Sequence, residues 1–366
     1  MKHINELECS LSTHLTWNKS RTGCLARIVL AMIAVRTVNL VDIACAFGSD
    51  KTKALSNYRR LQRFFSGFDF SYAEVASLLF GLFAREGKVY LSMDRTNWQW
   101  GKSPINILML SLVYKGTAIP LLWSMIPHKG NSNTAARIAL MERFVRQFGA
   151  DRIAGLLCDR EFVGKAWFNY LKKARIAFYI RIRNNAVTTN RQGREADVWT
   201  LFLGLKHREE RVLSGARKVY GVRVFLVGVR CDDGSQLIVA CSENNPEAIS
   251  IYRLRWEIET LFSCLKGRGF RFEDTHITNP ERIKKLVAVL AIAFAWAHRV
   301  GEWRHDHLQP IKIKKHGRLA MSWFRYGLDF IRELLFTGKF SWVRYRQCLR
   351  RLQMCRPILK TVAVKL

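Results

Sequence analysis

Two aspartates follow short apolar segments that are typical of β-strands. The segment Lys88–Asp94 predicts a strand that ends on Asp94, and Ala154–Cys158 predicts a strand that is followed by Asp159. Functional groups gather at the carboxyl ends of strands in open α/β sheets, so both carboxylates are candidates for a reaction centre. A single acid after a strand is more often a turn former or a helix N-cap. Two such acids, each followed directly by an arginine, favour a shared site.

A third acid lies in a long predicted helix, from about Pro246 to Lys266, which Gly267 and Gly269 would end. Its polar face carries four functional side chains: Tyr252, Arg255, Glu259 and Lys266. At about 100° per residue, these positions fall within about 60° of one another. The face therefore combines a phenol, a guanidinium, a carboxylate and an ammonium group. The alternative is a surface helix with ordinary pairs between acidic and basic residues.

In the segments around these residues, the spacing of apolar residues alternates between that of β-strands and that of α-helices. These segments predict three strands in a meander, then a helix, a strand, a helix and a strand: 88–94, 106–114, 117–125, 133–148, 154–158, 164–174 and 177–183. A Lys115-Gly116 turn would join the second and third strands. The nearly continuous apolar character of these strands predicts a sheet that is covered on both faces. Residues 184–235 are polar and rich in arginine and glycine, which predicts an insertion with one strand at 218–229 and another directly after it at 236–242.

Residues 1–85 contain no proline and have helical spacing of apolar residues. Gly48 would stop one helix, and Ser49 or Asp50 would cap the next, Lys51–Phe65, in a helix-turn-helix arrangement. The candidate DNA contacts in or beside this second helix are Lys51, Lys53, Asn57, Arg59, Arg60 and Arg63. The alternative is a solvated basic helix in an ordinary bundle.

Charge indicates the class of partner. The 366 residues include 60 Lys and Arg against 29 Asp and Glu, for a net charge of +31, which favours nucleic acid over the rival partner, an anionic membrane. The apolar run Leu286–Trp296 is too short to span a bilayer, which needs roughly 20 residues. The nine cysteines form no C-x-x-C pair, which argues against a zinc finger. With no secretory signal at the N-terminus, the sequence predicts a reduced, cytoplasmic protein.

The C-terminal segment has the strongest basic excess. Residues 281–366 contain 19 Lys and Arg but 5 Asp and Glu, and an apolar helix, Leu286–Val300, precedes basic stretches that alternate with aromatic residues. This pattern fits contact with backbone phosphates. A helical packing or dimerisation element with a basic outer face fits equally well.

Three motifs in order resemble a known family. The spacing Tyr252-x2-Arg255-x3-Glu259-x6-Lys266, together with Leu91–Trp98 around Asp94 and Cys158–Phe162 around Asp159, is similar to that of insertion-sequence transposases of family four, bacterial enzymes with an Asp-Asp-Glu active site. The resemblance covers roughly residues 30–300. It implies an α/β fold in which a ribonuclease-H-like mixed sheet, at 86–275, is interrupted by a β-rich insertion at about 184–235. A helical DNA-binding domain at 1–85 and a basic helical region at 276–366 would flank this core.

The resemblance also implies a chemistry. Asp94 would bridge two Mg²⁺ or Mn²⁺ ions, while Asp159 and Glu259 would each complete one site, since carboxylates suit these hard cations. The enzyme would hydrolyse DNA at the terminal inverted repeats and transfer the freed 3′-hydroxyl into target DNA, a cut-and-paste reaction. Tyr252, Arg255 and Lys266 would contact DNA phosphates beside the cut. The expected partners are double-stranded DNA and a second copy of the chain, at the nucleoid and away from membranes.

Two alternative functions share these motifs: a ribonuclease-H-like nuclease without strand transfer, and an inactive DNA-binding repressor of transposition. One feature also departs from some relatives, which form a DNA hairpin and stack a flipped base on a Trp in the strand before the acid-bearing helix. The corresponding segment here, Gln236–Ser242, has no Trp. Trp199, in the insertion, either substitutes for it or packs in the core, and packing is the expectation for a large aromatic residue.

Overall fold

The computed structural model describes residues 2–47, 53–84, 86–189, 193–315, 317–336 and 340–353. The chain forms two compact units. Unit 1 consists of Met1–Arg85, Trp98–Ser103 and Phe262–Leu366, and unit 2 of Glu86–Asn97 and Pro104–Leu261. The predicted turn at 48–50 and the candidate DNA contact Lys51 lie outside the described residues. Among the helices of the described ranges, none has the length and apolarity needed to cross a bilayer.

The N-terminal part of unit 1 is helical. Its helices are α1 (Lys2–Ser12), α2 (Lys19–Val35), α3 (Leu40–Cys45), α4 (Ala54–Gly67) and α5 (Tyr72–Phe83). Helices α3 and α4 pack against each other, and the side-chain amide of Asn57 on α4 donates a hydrogen bond to the Ala44 carbonyl on α3 at 3.3 Å. Helix α4, the second helix of the predicted pair, begins at Ala54, directly after its extended N-cap residue Lys53.

Unit 2 is built on a mixed sheet, in the predicted order of elements. These are β1 (Val89–Trp100), β2 (Ser103–Tyr114), β3 (Thr117–Met125), α6 (Thr134–Phe148), β4 (Ile153–Cys158), α7 (Lys165–Lys173) and β5 (Phe178–Arg181). The spatial order is β3-β2-β1-β4-β5, with β2 and β3 antiparallel, and with β1, β4 and β5 parallel. The predicted α/β class is confirmed, and this sheet fits a ribonuclease-H-like core.

Burial explains why the middle strands are so apolar. Residues 105–112 of β2 are all buried, as expected for a strand that has other elements on both faces of the sheet. The predicted turn between β2 and β3 is present. Lys115 and Gly116 have φ values of 47° and 89°, so both lie in the left-handed region that a tight two-residue hairpin turn requires.

The insertion adds strands to the same sheet. It contains β6 (Val187–Thr189), β7 (Glu195–Asp197), β8 (Glu210–Val212), β9 (Arg217–Val219) and β10 (Val222–Arg230), and β11 (Gln236–Cys241) follows it. Strands β6 and β7 form a separate hairpin, whereas β11 pairs with β5 and with β10. The predicted single strand at 218–229 is wrong. Tyr220 and Gly221, with φ of 50° and 78°, form a tight turn that folds β9 back onto β10.

The predicted long helix that carries Glu259 is also wrong, because it is broken in two. Helix α8 spans Ala248–Arg253 and α9 spans Trp256–Leu265. At the break, the Leu254 and Arg255 N–H groups bond to carbonyls three residues back, at 3.1 and 2.9 Å, which is the tighter 3₁₀ pattern. Helix α8 packs its apolar residues against β4, β5, β10 and β11, so the sheet fixes the start of this helical segment.

The C-terminal helices complete unit 1. They are α10 (Pro280–His307), α11 (Trp323–Phe336) and α12 (Trp342–Gln353). Helix α10 is longer than predicted and buried along most of its length. The Tyr345 hydroxyl on α12 donates to the His3 carbonyl on α1 at 2.6 Å, and Trp296 Nε1 donates to the Cys348 carbonyl at 3.0 Å. The two terminal helical regions thus share one compact unit, because α10 supplies a core to both. Their division into separate functional domains stays a prediction.

Candidate active site

Strand pairing brings the two aspartates to one edge of the sheet. In the parallel β1–β4 pair, Met93 lies opposite Cys158, so Asp94 and Asp159 follow as the next residues on neighbouring strands. Asp159 directly follows β4, as predicted. The prediction that Asp94 ends its strand is wrong, because β1 continues to Trp100 and turns through Gly101, with φ of 54°, into β2. A pattern of apolar residues cannot show this extension, since residues 95–100 are mostly polar.

Arg255 joins Asp94 to Glu259. Its Nη1 lies 3.2 Å from Asp94 Oδ2 and its Nη2 lies 2.6 Å from Glu259 Oε1. The Arg255 side chain is only 4% exposed, whereas those of Asp94 and Glu259 are 19% and 44% exposed. A buried guanidinium therefore lies between two of the three predicted catalytic carboxylates. Charge-assisted pairs of this kind are short and geometrically specific.

Tyr252 connects the third carboxylate to the same helical segment. The buried Tyr252 hydroxyl donates to Asp159 Oδ1 at 3.4 Å, and Arg181 Nη1 lies 3.8 Å from the same oxygen. Burial raises the pKa of the Tyr252 phenol, so the group stays protonated and acts as a donor. The structure thus brings Asp94, Asp159, Glu259, Tyr252 and Arg255 together through direct contacts.

Asp94 is the carboxylate whose acidity differs most from its usual value. Burial raises its pKa from 3.8 to about 6, and the nearby charges of Glu161 and Asp159 act in the same direction. The Arg95 N–H, which donates to Asp94 Oδ1 at 2.7 Å, and the Arg255 guanidinium oppose this rise. A desolvated carboxylate with a raised pKa binds a cation favourably, because the cation replaces the lost hydration.

Arg95 forms a clamp that the sequence did not reveal. Its Nε and Nη2 donate to both carboxylate oxygens of Glu161, at 2.7 and 2.8 Å. Its Nη1 donates to Asn106 Oδ1 at 3.0 Å and to the Gly130 carbonyl at 2.7 Å. The clamp thus ties the residue after Asp94 to the β4–α7 loop. The two arginines after the aspartates indicated a site, but nothing in their spacing identified Glu161 as a partner.

Glu257 anchors the break between α8 and α9. Its buried carboxylate accepts the Tyr114 N–H at 2.6 Å and the Gly116 N–H at 2.7 Å, at the turn between β2 and β3. Burial raises its pKa above the usual value, and these two hydrogen bonds lower it. Glu257 therefore attaches the helical segment to the sheet two residues before Glu259.

The donor chemistry of the site suits a hard cation. Asp94, Asp159 and Glu259 offer only carboxylate oxygens, which Mg²⁺ and Mn²⁺ prefer over the nitrogen and sulfur ligands of zinc sites. Within the described part of the chain, no three or more His, Cys, Asp or Glu side chains are grouped closely enough to hold a metal ion. The Arg255 guanidinium instead pairs with both Asp94 and Glu259, so a cation bound between these two carboxylates would compete with it.

The remaining predicted DNA contacts lie in unit 1. Lys53, Arg59, Arg60 and Arg63 are exposed at the start and along one side of α4. Asn57 differs: it is buried, and its amide binds Ala44 rather than facing solvent. Lys266 pairs with Glu273 at 2.7 Å, and its ammonium lies 5.6 Å from the centre of the Trp98 ring.

Trp199 is not a core residue, contrary to expectation. Its side chain is 39% exposed, and its Nε1 donates to Asp197 Oδ2 at 3.2 Å. The short 3₁₀ segment Val198–Phe202 places Val198 and Phe202 in the core instead. Since these two apolar residues fill the buried positions, the indole remains at the surface.

A known protein family covers the part of the chain that contains these residues. A family model described as the transposase DDE domain matches residues 85–296, more than half of the chain. The chain belongs to this family. No curated protein matches it. Among solved structures, the chain is similar to a piggyBac transposase in a synaptic complex with hairpin DNA, at 11% identity, a TM-score of 0.46, and coverage of 92% of this chain and 76% of that one. Membership of the family supports a transposase function.

Proposed function

We propose that this chain is the DNA transposase of a bacterial insertion sequence of family four. It would cut DNA at the terminal inverted repeats and join the freed 3′-hydroxyl to target DNA. The observation that carries the proposal is the arrangement around Arg255, where Asp94 and Glu259 share one guanidinium. Tyr252, on the preceding helix, contacts Asp159. Three carboxylates on separate elements are thereby gathered at one edge of the sheet.

The three acids Asp94, Asp159 and Glu259 would together hold two Mg²⁺ or Mn²⁺ ions. When bound, such ions activate the attacking oxygen and stabilise the leaving one. Asp94 must be ionised for this role, which its pKa of about 6 permits at neutral pH. Arg255 would leave the carboxylates and use its planar guanidinium to grip a DNA phosphate in two places.

Contacts with DNA would extend beyond the acids. Lys266 would bind a strand phosphate, and Lys53, Arg59, Arg60 and Arg63 on α4 would bind the inverted repeat. Tyr252, which is buried, would act through its hydrogen bond to Asp159 rather than on DNA directly. The exposure of the α4 side chains supports this role, and the net charge of +31 supports DNA as the partner. Because two transposon ends must be cut, the assembled complex would contain two copies of the chain, at the bacterial nucleoid rather than at a membrane.

The test is a cleavage and joining assay on DNA that carries the inverted repeats flanking the source gene. Wild type, Asp94→Asn and Glu259→Gln would be compared with and without Mg²⁺ or Mn²⁺. Asp233→Asn is the matched control, since Asp233 is exposed in the turn before β11 and bonds only to nearby residues. We expect cuts at the repeat ends and joined products from wild type and the control. Both variants at the acids should bind DNA and leave it uncut.

Other outcomes would point elsewhere. Cuts without joined products would favour a nuclease, and tight binding without cuts by wild type would favour a repressor. Cleavage that persists in Asp94→Asn and Glu259→Gln would contradict the assignment of these acids. Equal loss of binding and cleavage in both variants would contradict it as well, because a metal ligand should affect the chemical step more than DNA affinity.

A further inference from the structure

A concave feature of unit 2 lies at the same edge of the sheet as the candidate acids. It is a cavity of about 500 Å³ lined by six residues: Arg160, Arg181, Ile182, Arg183, Asn184 and Asn185. Arg160 follows β4, and the other five end or follow β5. Because β4 and β5 are parallel neighbours, their carboxyl ends bring these segments together. We call this feature the arginine pocket.

Charge in the arginine pocket is largely uncompensated. Arg160 and Arg183 are exposed, and neither side chain forms an ion pair or hydrogen bond with any residue that the structure describes. Arg181 has one distant partner, Asp159, at 3.8 Å. By contrast, Arg208 in the insertion donates twice to Asp232, at 2.7 and 3.1 Å. Three guanidinium groups around one cavity, none of whose six lining residues is acidic, attract an anion.

The lining continues into a second cavity. This cavity, of about 570 Å³, shares Arg183 and Asn185 with the arginine pocket and adds polar groups from Thr188, Thr189, Lys218 and Tyr220, together with one carboxylate, that of Glu195. A single small anion would fill only one of the two spaces. A polymer with regularly spaced negative charges matches a track of cationic and amide donors that begins next to Asp159.

We propose that the arginine pocket binds the phosphodiester backbone of a DNA strand directly next to the candidate active site, with Arg160 and Arg183 as the phosphate ligands. The inference rests on the proposed function and adds a strand-binding site to it. The guanidinium groups would each pair with phosphate oxygens, and the Asn184 and Asn185 amides would supply further donors. Arg181, through Asp159, would link the occupied pocket to the candidate acids.

The experiment measures how DNA affinity depends on salt, since each lost phosphate contact changes the slope of log K against log salt. Arg160→Gln, Arg183→Gln and the double variant would be titrated with duplex DNA and with oligothymidylate at several NaCl concentrations, without divalent metal. Arg208→Gln is the matched control, because it removes the same charge from an arginine that is already paired. We expect each pocket variant to make the slope less negative by about 0.9 on duplex or about 0.7 on a single strand. The control should leave the slope unchanged.

The two DNA probes show whether the phosphates belong to an unpaired strand or to a duplex. The slope should change in the pocket variants only with the probe that enters the pocket. Arg160→Lys and Arg183→Lys keep the charge and should keep the slope, which separates lost contacts from misfolding. Unchanged slopes in the double variant would refute the pocket, as would equal changes in the pocket variants and in Arg208→Gln. If wild type cuts repeat DNA and Asp94→Asn does not, the proposed function stands even when the pocket fails. If wild type binds neither probe, the proposed function itself fails.

Discussion

Removal of the Arg255 side chain tests whether this residue competes with a metal ion. Arg255→Ala leaves Asp94 without its counter-charge, and Asp94 is only 19% exposed. Loss of one partner of a buried ion pair costs about 3–5 kcal/mol. Glu259 is 44% exposed and can be rehydrated, so its pair adds less than about 1 kcal/mol. Since Asp94 keeps some contact with solvent, we expect a loss of about 3 kcal/mol in the free energy of unfolding at pH 8 in EDTA.

Metal should reverse much of that loss. A divalent cation between Asp94 and Glu259 must displace the guanidinium in wild type but not in Arg255→Ala. The apparent Kd for Mn²⁺ should therefore be roughly 30- to 150-fold tighter in the variant, which corresponds to about 2–3 kcal/mol. Titration calorimetry and urea unfolding with and without Mn²⁺ would measure both quantities. At pH 8 Asp94 is ionised in wild type, since its pKa is about 6.

Arg181→Ala is the control for a general loss of positive charge near the acids. Arg181 lies 3.8 Å from Asp159, and both side chains are 30% exposed, so its removal should cost less than about 1 kcal/mol. Equal stabilisation of wild type and Arg255→Ala by Mn²⁺ would refute competition between the guanidinium and the metal. Weaker Mn²⁺ binding by Arg255→Ala would refute it more directly, because Arg255 would then support the site instead of occupying it.

Three further predictions concern stability and use urea unfolding. The Asp94 carboxyl has a pKa of about 6 in the folded protein against an ordinary value of 3.8, so its protonated form stabilises the fold below pH 3.8, and this stabilisation is lost as the pH rises through about 6. Asp94→Asn, which cannot ionise, should therefore be more stable than wild type by up to about 3 kcal/mol at pH 7.5 in EDTA and equally stable near pH 3.5. A difference in stability that does not change with pH would contradict the raised pKa. Glu257→Gln replaces one of two acceptor oxygens for backbone N–H groups with a donor, and should cost about 2–3 kcal/mol, whereas the exposed Glu243→Gln should stay within about 0.5 kcal/mol. Gly221→Ala should cost about 1 kcal/mol because φ is 78° there, while Gly67→Ala, in open space at the end of α4, should be neutral or stabilising.

Much of the sheet could be predicted from the sequence because its strands are buried on both faces. The apolar run at 117–125 matches β3 at both ends, and the Lys115-Gly116 turn follows from the residue types that tolerate positive φ. The helix at 133–148 was also predictable, since Asn133 caps it by accepting the Ala136 N–H at 2.8 Å. In each case, a local preference and the tertiary environment agree.

Predictions failed where a tertiary contact decides the outcome. Asn57 has the polarity and position of a base-contacting residue, but its amide instead joins α4 to α3. Tyr220 is apolar enough to continue a strand, yet it takes a left-handed conformation with Gly221 and reverses the chain. The partner of Asn57, Ala44, lies on another helix, and the turn at Tyr220 depends on backbone conformation. A pattern of residue types contains neither kind of information.

The spacing of Tyr252, Arg255 and Glu259 predicted their proximity although the helix that it assumed is broken. Residues three apart lie on the same side of a 3₁₀ turn as well as of an α-helix, so the tight turn at Arg255 keeps Tyr252 and Arg255 aligned. Glu259 is four residues further along the regular helix α9 and still meets Arg255. The same reasoning does not extend to Lys266, where the helix widens into a π-helical turn, Lys266–Phe270. A wider turn changes the angle per residue, and Lys266 pairs within unit 1 with Glu273. Side-chain spacing thus stays informative across a break that preserves the i, i+3 relation and loses its value where the helix changes pitch.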